Sequence, residues 1–255
     1  MPRSGTLVLT FVRPLPKPPA SRVIPADRRW AVVVGISTYA GSTHPTVGGV
    51  GDAAAVRSSL LHAGWRSDHI RVLTEQAASG QAILDAMSWL AARSGPTTYS
   101  LFHFSGHACI ASRGPCGSGH TWLWSQDNRF LSETTVASVL GRVKGRAWFD
   151  FAACESGAFD AGLHSALRLV TASAQPDETA YEEPQWHESV WTGFAFDQGF
   201  LQGHAGSAPY RATIAQMVAF GQSSSTHYTS QQARGPQHPY AAGGDRTQTL
   251  YAPHV

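Results

Sequence analysis

The chain has 255 residues, 42% of them hydrophobic, enough for one substantial domain core. A formal net charge of +2, with no run of basic residues, argues against nucleic acid or an anionic membrane as the main partner. No apolar stretch approaches the roughly 18–20 residues that cross a bilayer. Three cysteines cannot all pair; Cys109 and Cys116 could bridge a loop, but free thiols in a reducing cytoplasm fit so few cysteines better.

Residues 1–28 read as an extended leader stiffened by Pro14, Pro16, Pro18 and Pro19. Arg3 and the apolar run from Leu7 to Val12 faintly imitate a signal peptide. The run is short, and prolines stand where a small-residue cleavage site belongs, so secretion is not expected. A single domain is expected over residues 29–255, partly irregular from about residue 222.

Trp30, Val32, Val33, Val34 and Ile36 make a β-branched buried strand, followed by a Gly/Ser/Thr/Pro loop to Gly51. Asp52 is read as opening a helix in which Ala55, Val56, Leu60 and Ala63 share a face, with Gly64 as its stop. A second strand covers residues 70–74, a second helix 81–93, and a third strand 99–104. After a long Gly/Ser/Cys loop come a short strand at Trp122 to Trp124, a turn at Asp127 and Asn128, and a helix capped by Ser132. Strands are expected at 147–152 and 167–172, a segment of either type at 190–201, a helix at 212–220, and a last strand at 247–251. Strands alternating with helices imply an α/β fold with a mostly parallel sheet covered on both faces.

Two strand tips carry the chemistry. Trp148, Phe149, Asp150, Phe151, Ala152 and Ala153 run into Cys154, with Gly157 read as the turn that ends the strand. Leu101, Phe102, His103 and Phe104 run into Ser105, Gly106 and His107. Open α/β sheets place their sites at the carboxyl ends of strands. A thiol at neutral pH needs an imidazole neighbour to become a useful nucleophile, and His107 is the candidate base. The N–H groups of Cys154 and Ala108 are the candidate donors to a tetrahedral oxyanion, with Gly106 free to aim them. His103, between two phenylalanines, reads as a packed side chain.

These residues resemble the caspase/metacaspase superfamily of cysteine peptidases, in its bacterial caspase-like branch. Gly35-Ile36-Ser37-Thr38-Tyr39 is similar to the family's opening, and Gly51-Asp52-Ala53 to its first helix. Phe104-Ser105-Gly106-His107 is similar to its histidine motif, and residues 150–157 to its cysteine motif. The two candidates lie 47 residues apart, close to the roughly 50 of caspases. The resemblance implies a three-layer α/β/α fold with a mostly parallel six-stranded sheet, and a His107–Cys154 dyad that cleaves peptide bonds. Two departures stand out: Ala108 replaces the family's usual glycine, and Ala152 its frequent aspartate, the nearest acid being Asp150.

For substrate choice, caspases hold aspartate with arginines, and Glu182 falls where one of these would be. Metacaspases bind Arg or Lys with acids, and Asp52 resembles one of those. Like charges repel and opposite charges attract in a partly dry pocket, so cleavage after Arg or Lys is expected, with Asp52, Glu182 and Asp150 as substrate-binding residues. A short connection, residues 158–167, leaves no cuttable linker, so one intact chain is expected to act. Asp127 and Asp160 are too few for calcium, and neither a zinc spacing nor a phosphate loop occurs, so no cofactor or metal is expected. The expected partner is a protein or peptide substrate, with no nucleic acid and no membrane; oligomeric state has no signature. The main alternative is a catalytically weak relative acting as a binding module, and a second is another acyl-transfer enzyme on a related fold.

Overall fold

The computed structural model describes residues 23–109, 119–233, 235–244 and 248–252. The apolar run before Val12, the leader prolines and Cys116 lie outside the described residues.

Six strands form one sheet: β1 (Arg29–Gly35), β2 (Ile70–Thr74), β3 (Tyr99–Ser105), β7 (Arg146–Ala152), β8 (Arg168–Ala172) and β11 (Tyr240–Gly243). Between β3 and β7 the chain makes a small three-stranded sheet from β4 (Ala108–Cys109), β5 (Trp122–Trp124) and β6 (Phe130–Ser132). After β8 comes a two-stranded ribbon, β9 (Glu182–Glu183) with β10 (Glu188–Ser189). The order in the main sheet is β11-β8-β7-β3-β1-β2, all parallel except the β11–β8 pair.

The parallel strands are buried on both faces, as their unbroken apolar runs demand. On β1, Ala31 and Val33 face one core while Val32 and Val34 face the other. The first core is closed by α1 (Gly49–His62), the helix of Val190–Thr192 (α4) with its π-helical continuation Gly193–Leu201, and α5 (Ile214–Thr229). The second is closed by α2 (Gly80–Arg93) and α3 (Glu133–Leu140). The chain leaves β1 toward β2 over one face and returns to β3 over the other. This reversal beside β1 is the topological switch point at which open α/β sheets form their crevice.

Several expectations are corrected. The domain begins before Arg29: Ile24 and Ala26 are in the core. The Arg29 guanidinium, itself buried, donates to the carbonyls of Ile24, Leu250 and Tyr251 at 2.7, 2.9 and 2.8 Å, tying the start of β1 to the C-terminal segment. Desolvation pulls that guanidinium down to about 10. Helix α1 starts at Gly49, so Asp52 lies in its first turn rather than opening it. α5 runs on to Thr229, well past residue 220, and the sixth strand is β11; of the strand expected at 247–251, Thr247 lies outside the described residues and Thr249 makes an isolated bridge to Thr213. Beyond β7 the chain turns at Glu155, whose φ is +50°, rather than at Gly157. Gly157 is instead kept small by a close neighbour, since a Cβ there would lie 2.8 Å from the Pro176 ring. Ser132 does cap α3, its hydroxyl accepting from the Thr135 N–H at 3.1 Å.

Candidate active site

Register brings the two strand tips together. Along the β3–β7 pairing, Ser105 sits opposite Ala152. His107 and Cys154 each lie two residues beyond that pair. The Gly106 N–H donates to the Ala152 carbonyl at 3.2 Å, prolonging the ladder toward both. His107 and Cys154 line one cleft of about 310 Å³, together with Thr46, Val47, residues 179–182, Pro184 and Ser189. Cys154 is half-buried.

His107 is held through both its ring and its backbone. Its Nε2 donates to the His44 carbonyl at 2.8 Å. A carbonyl only accepts, so Nε2 carries the proton and neutral His107 keeps its lone pair on Nδ1. Its backbone N–H donates to the Tyr39 hydroxyl at 2.6 Å, and the Tyr39 ring lies 4.9 Å from the imidazole, centroid to centroid. Burial raises the Tyr39 phenol well above its ordinary range, so it stays protonated. Gly106 must be glycine: its φ is +156°, and a Cβ would meet the Tyr39 hydroxyl at 2.6 Å.

The Ala108 N–H lies outside the β4–β5 ladder. Trp124 donates to the His107 carbonyl, and Ala108 opposes Leu123, so antiparallel alternation turns the Ala108 amide away from β5.

The three expected substrate-binding acids fare differently. Asp150 is contradicted: it is fully buried and does not line the cleft. It lies two residues below Ala152 on β7, about 7 Å deeper at the usual strand rise. Its carboxylate accepts from His103 Nδ1 at 2.7 Å, Trp191 Nε1 at 2.9 Å and Thr171 Oγ1 at 2.5 Å, while Thr171 accepts from Trp148 Nε1. This is a structural hub, and His103 belongs to it.

Asp52 is also fully buried and does not itself line the cleft. Its carboxylate accepts from the Ser105 hydroxyl at 2.6 Å and the Ser189 N–H at 2.8 Å, and Ser189 lines the cleft. Desolvation pushes it up to about 6. Glu182 does line the cleft, but its oxygens accept from the Val47 and Gly48 N–H groups, each at 2.9 Å. Asp127 and Asp160 serve separate places, the first accepting from the Gly80 N–H at the start of α2, the second from Tyr240 and His164. Among the described residues, no three His, Cys, Asp or Glu side chains converge as a metal site would require.

A family model described as a caspase domain matches residues 28–243. The chain belongs to the caspase-domain family. Metacaspase-1 of Lodderomyces elongisporus is 36% identical over 86 residues, 31% of this chain and 19% of that protein. Metacaspase-1 of Candida albicans is 35% identical over 88 residues, 32% of this chain and 19% of that protein. The alignments thus span about a fifth of the length of these relatives. Caspase-1 from Spodoptera frugiperda superposes with a TM-score of 0.66 at 12% identity, over 96% of this chain and 98% of its own. A Geobacter sulfurreducens protein, GSU0716, does so with 0.66 at 13% identity, over 89% of this chain and 100% of its own. At such identities these likenesses concern the fold alone, and they agree with the three-layer arrangement described above.

Sequence reasoning points to Cys154, His107 and Ala108, of which Cys154 and His107 line the cleft, but gives no role to the His44 carbonyl, the Tyr39 hydroxyl or Ser105. Tyr39 and Ser105 stand inside the motifs that carry the family resemblance, so a signal exists. The His44 contribution is a backbone oxygen, for which no side chain gives notice.

Proposed function

We propose that this protein is a cysteine endopeptidase. The Cys154 thiolate attacks the peptide carbonyl, His107 Nδ1 takes the thiol proton and returns it to the leaving amine, and the N–H groups of Ala108 and Cys154 receive the oxyanion. Water then hydrolyses the thioester with the same imidazole as base. The observation that carries this reading is the tautomer: the His44 carbonyl occupies Nε2, which leaves the basic nitrogen of a cleft-lining imidazole for the cleft-lining thiol.

Cleavage after Arg or Lys is the specificity the cleft supports best. Its walls are small and largely uncharged, and the Asp52 carboxyl is bonded to Ser105 and to the cleft-lining Ser189. A cation in the cleft would stabilise ionised Asp52, whereas an aspartate side chain would meet repulsion from it and from Glu182. The test is hydrolysis of fluorogenic peptides that differ only at P1 (Arg, Lys, Asp, Leu), with Cys154→Ala as control. Turnover of the Arg and Lys peptides, lost in the variant, is expected. Preference for Asp or Leu overturns the specificity, and no turnover of any peptide favours the binding-module reading, toward which the methyl group of Ala108 beside the oxyanion site points.

A further inference from the structure

We infer that Glu182 is a positioning residue for the catalytic histidine: its carboxylate latches residues 46–48 at the edge of the cleft and so sets the His44 carbonyl that orients His107. The inference rests on the endopeptidase reading above and gives Glu182 a different role from binding substrate charge.

The latch is bidentate. Glu182 Oε2 takes the Val47 N–H and Oε1 the Gly48 N–H, both at 2.9 Å. These amides stand at the N-terminus of α1, where Gly48 has no side chain with which to cap the helix. A carboxylate supplies the missing acceptor, and its charge opposes the positive end of the helix. The fit is close, since a Cβ on Gly48 would lie 2.5 Å from the Ser189 nitrogen and 3.2 Å from Glu182 Oε1. Thr46, next in line, is anchored to the two residues that follow β1 through Thr46 Oγ1 to the Ile36 carbonyl at 2.7 Å and Thr46 N to the Ser37 carbonyl at 2.9 Å. Only Pro45, whose φ is restricted by its ring, separates this clamped flank from the His44 carbonyl. The imidazole is therefore held through a short, stiff path that starts at the Glu182 carboxylate.

Both Glu182 oxygens are engaged in this arrangement. Either of its oxygens could accept a further bond, but a substrate cation pulling on the carboxylate would compete with two amides that have no other described acceptor. Glutamine in its place would offer one oxygen to one amide and turn an NH₂ donor toward the other N–H, so half the latch is lost and a donor faces a donor.

The test compares Glu182→Gln with Glu183→Gln, which removes the same charge one residue along β9, where Glu183 instead accepts from the Tyr228 hydroxyl. Two readouts are taken: the rate of Cys154 alkylation by iodoacetamide against pH, and kcat and KM for peptides with Arg, Lys or Leu at P1. A misplacement near 1 Å can cost about a hundredfold in rate, so losing half the latch is expected to slow neutral-pH alkylation about tenfold. The midpoint of the alkylation profile should move upward, kcat should fall by a similar factor for every P1 residue, and KM should change less than about twofold, with Glu183→Gln close to wild type. Should Glu182→Gln fail to fold by thermal melting, Thr46→Val loosens the same flank without altering charge and should slow alkylation in the same direction. Unchanged alkylation in a folded Glu182→Gln protein overturns the inference, as does a rise in KM confined to Arg and Lys peptides. Rapid wild-type alkylation at Cys154 with no peptide cleaved would instead sink the endopeptidase reading, and the alkylation profile would still decide the latch.

Discussion

Replacing Asp150 by alanine removes the acceptor on which three buried donors converge. His103, Trp191 and Thr171 are all fully buried, at 2.7, 2.9 and 2.5 Å from its oxygens, so no water can take its place without opening the core. Each buried donor left without its acceptor costs about 1–3 kcal/mol, so three orphaned donors cost about 5 kcal/mol or more. Against the roughly 5–15 kcal/mol that holds a domain together, that is a third or more of the total. Asp150→Asn should be milder. Its Oδ1 can still accept from Thr171 and Trp191, and its NH₂ can donate to His103 Nδ1 once that ring moves its proton to Nε2, a nitrogen without a partner among the described residues. The cost is then on the order of 1–2 kcal/mol. Urea unfolding at neutral pH measures both, as shifts of the midpoint at constant slope. The folded Asp150→Asn protein should keep the wild-type KM for every P1 residue. A fully stable Asp150→Ala protein with a raised KM for Arg peptides would refute this reasoning and return Asp150 to the substrate.

Other predictions follow from the site and its surroundings. The Asp52 carboxyl, raised to about 6 by burial, binds a proton that the unfolded chain releases near its ordinary value, so stability falls as pH rises from about 4 to about 6 and then levels. The linked change is about 3 kcal/mol; Asp52→Asn should flatten this slope in pH-dependent urea melts, and wild-type cleavage of Arg peptides should fall below pH about 6 more steeply than that of Leu peptides. Glu188, pushed up to about 8 by burial first and by Asp52 and Asp197 next, has an Oε2 without a partner among the described residues. It stays protonated below that value and costs stability as pH rises toward it, so Glu188→Gln should melt with wild type at pH about 5 and above it at pH about 9. Gly106→Ala drives a methyl group into the Tyr39 hydroxyl and should cut kcat sharply; adding Tyr39→Phe removes the clashing oxygen, so the double variant should lose less than the sum of the two singles. Strict additivity in that cycle would show that the clash is not what disables Gly106→Ala.

How much of the fold is legible in the chain depends on what each residue reveals locally. The β-branched and aromatic runs of β1, β3 and β7 announce strands buried on both faces, and His107 and Cys154 reach one cleft because they lie equally far beyond a paired register. The start of α1 is hidden by Gly48, Gly49 and Gly51, which resemble a loop. They are small because other chain passes close by: a Cβ at Gly49 would lie 2.1 Å from the Ile36 carbonyl, and one at Gly51 1.8 Å from that of His187. β11 is hard to read because Tyr-Ala-Ala-Gly carries little strand propensity and gains its place by pairing with β8. The length of α5 is masked by its serines and threonines, several of which spend their hydroxyls on nearby backbone carbonyls. Alternation correctly puts Asp150 on the face of Ala152, but period two gives a face and not a depth. The acid therefore belongs to the buried hub, and the cleft wall at that level is the methyl group of Ala152.

The most direct measurement of the central claim is covalent trapping with a peptide that carries arginine at P1 and an electrophilic ketone in place of the scissile bond, read by peptide mass mapping. A His107–Cys154 dyad predicts one adduct, on Cys154, formed quickly by the wild-type protein and suppressed in His107→Ala despite an unchanged fold. An adduct on another cysteine, or labelling of Cys154 at the same rate without the imidazole, would contradict it.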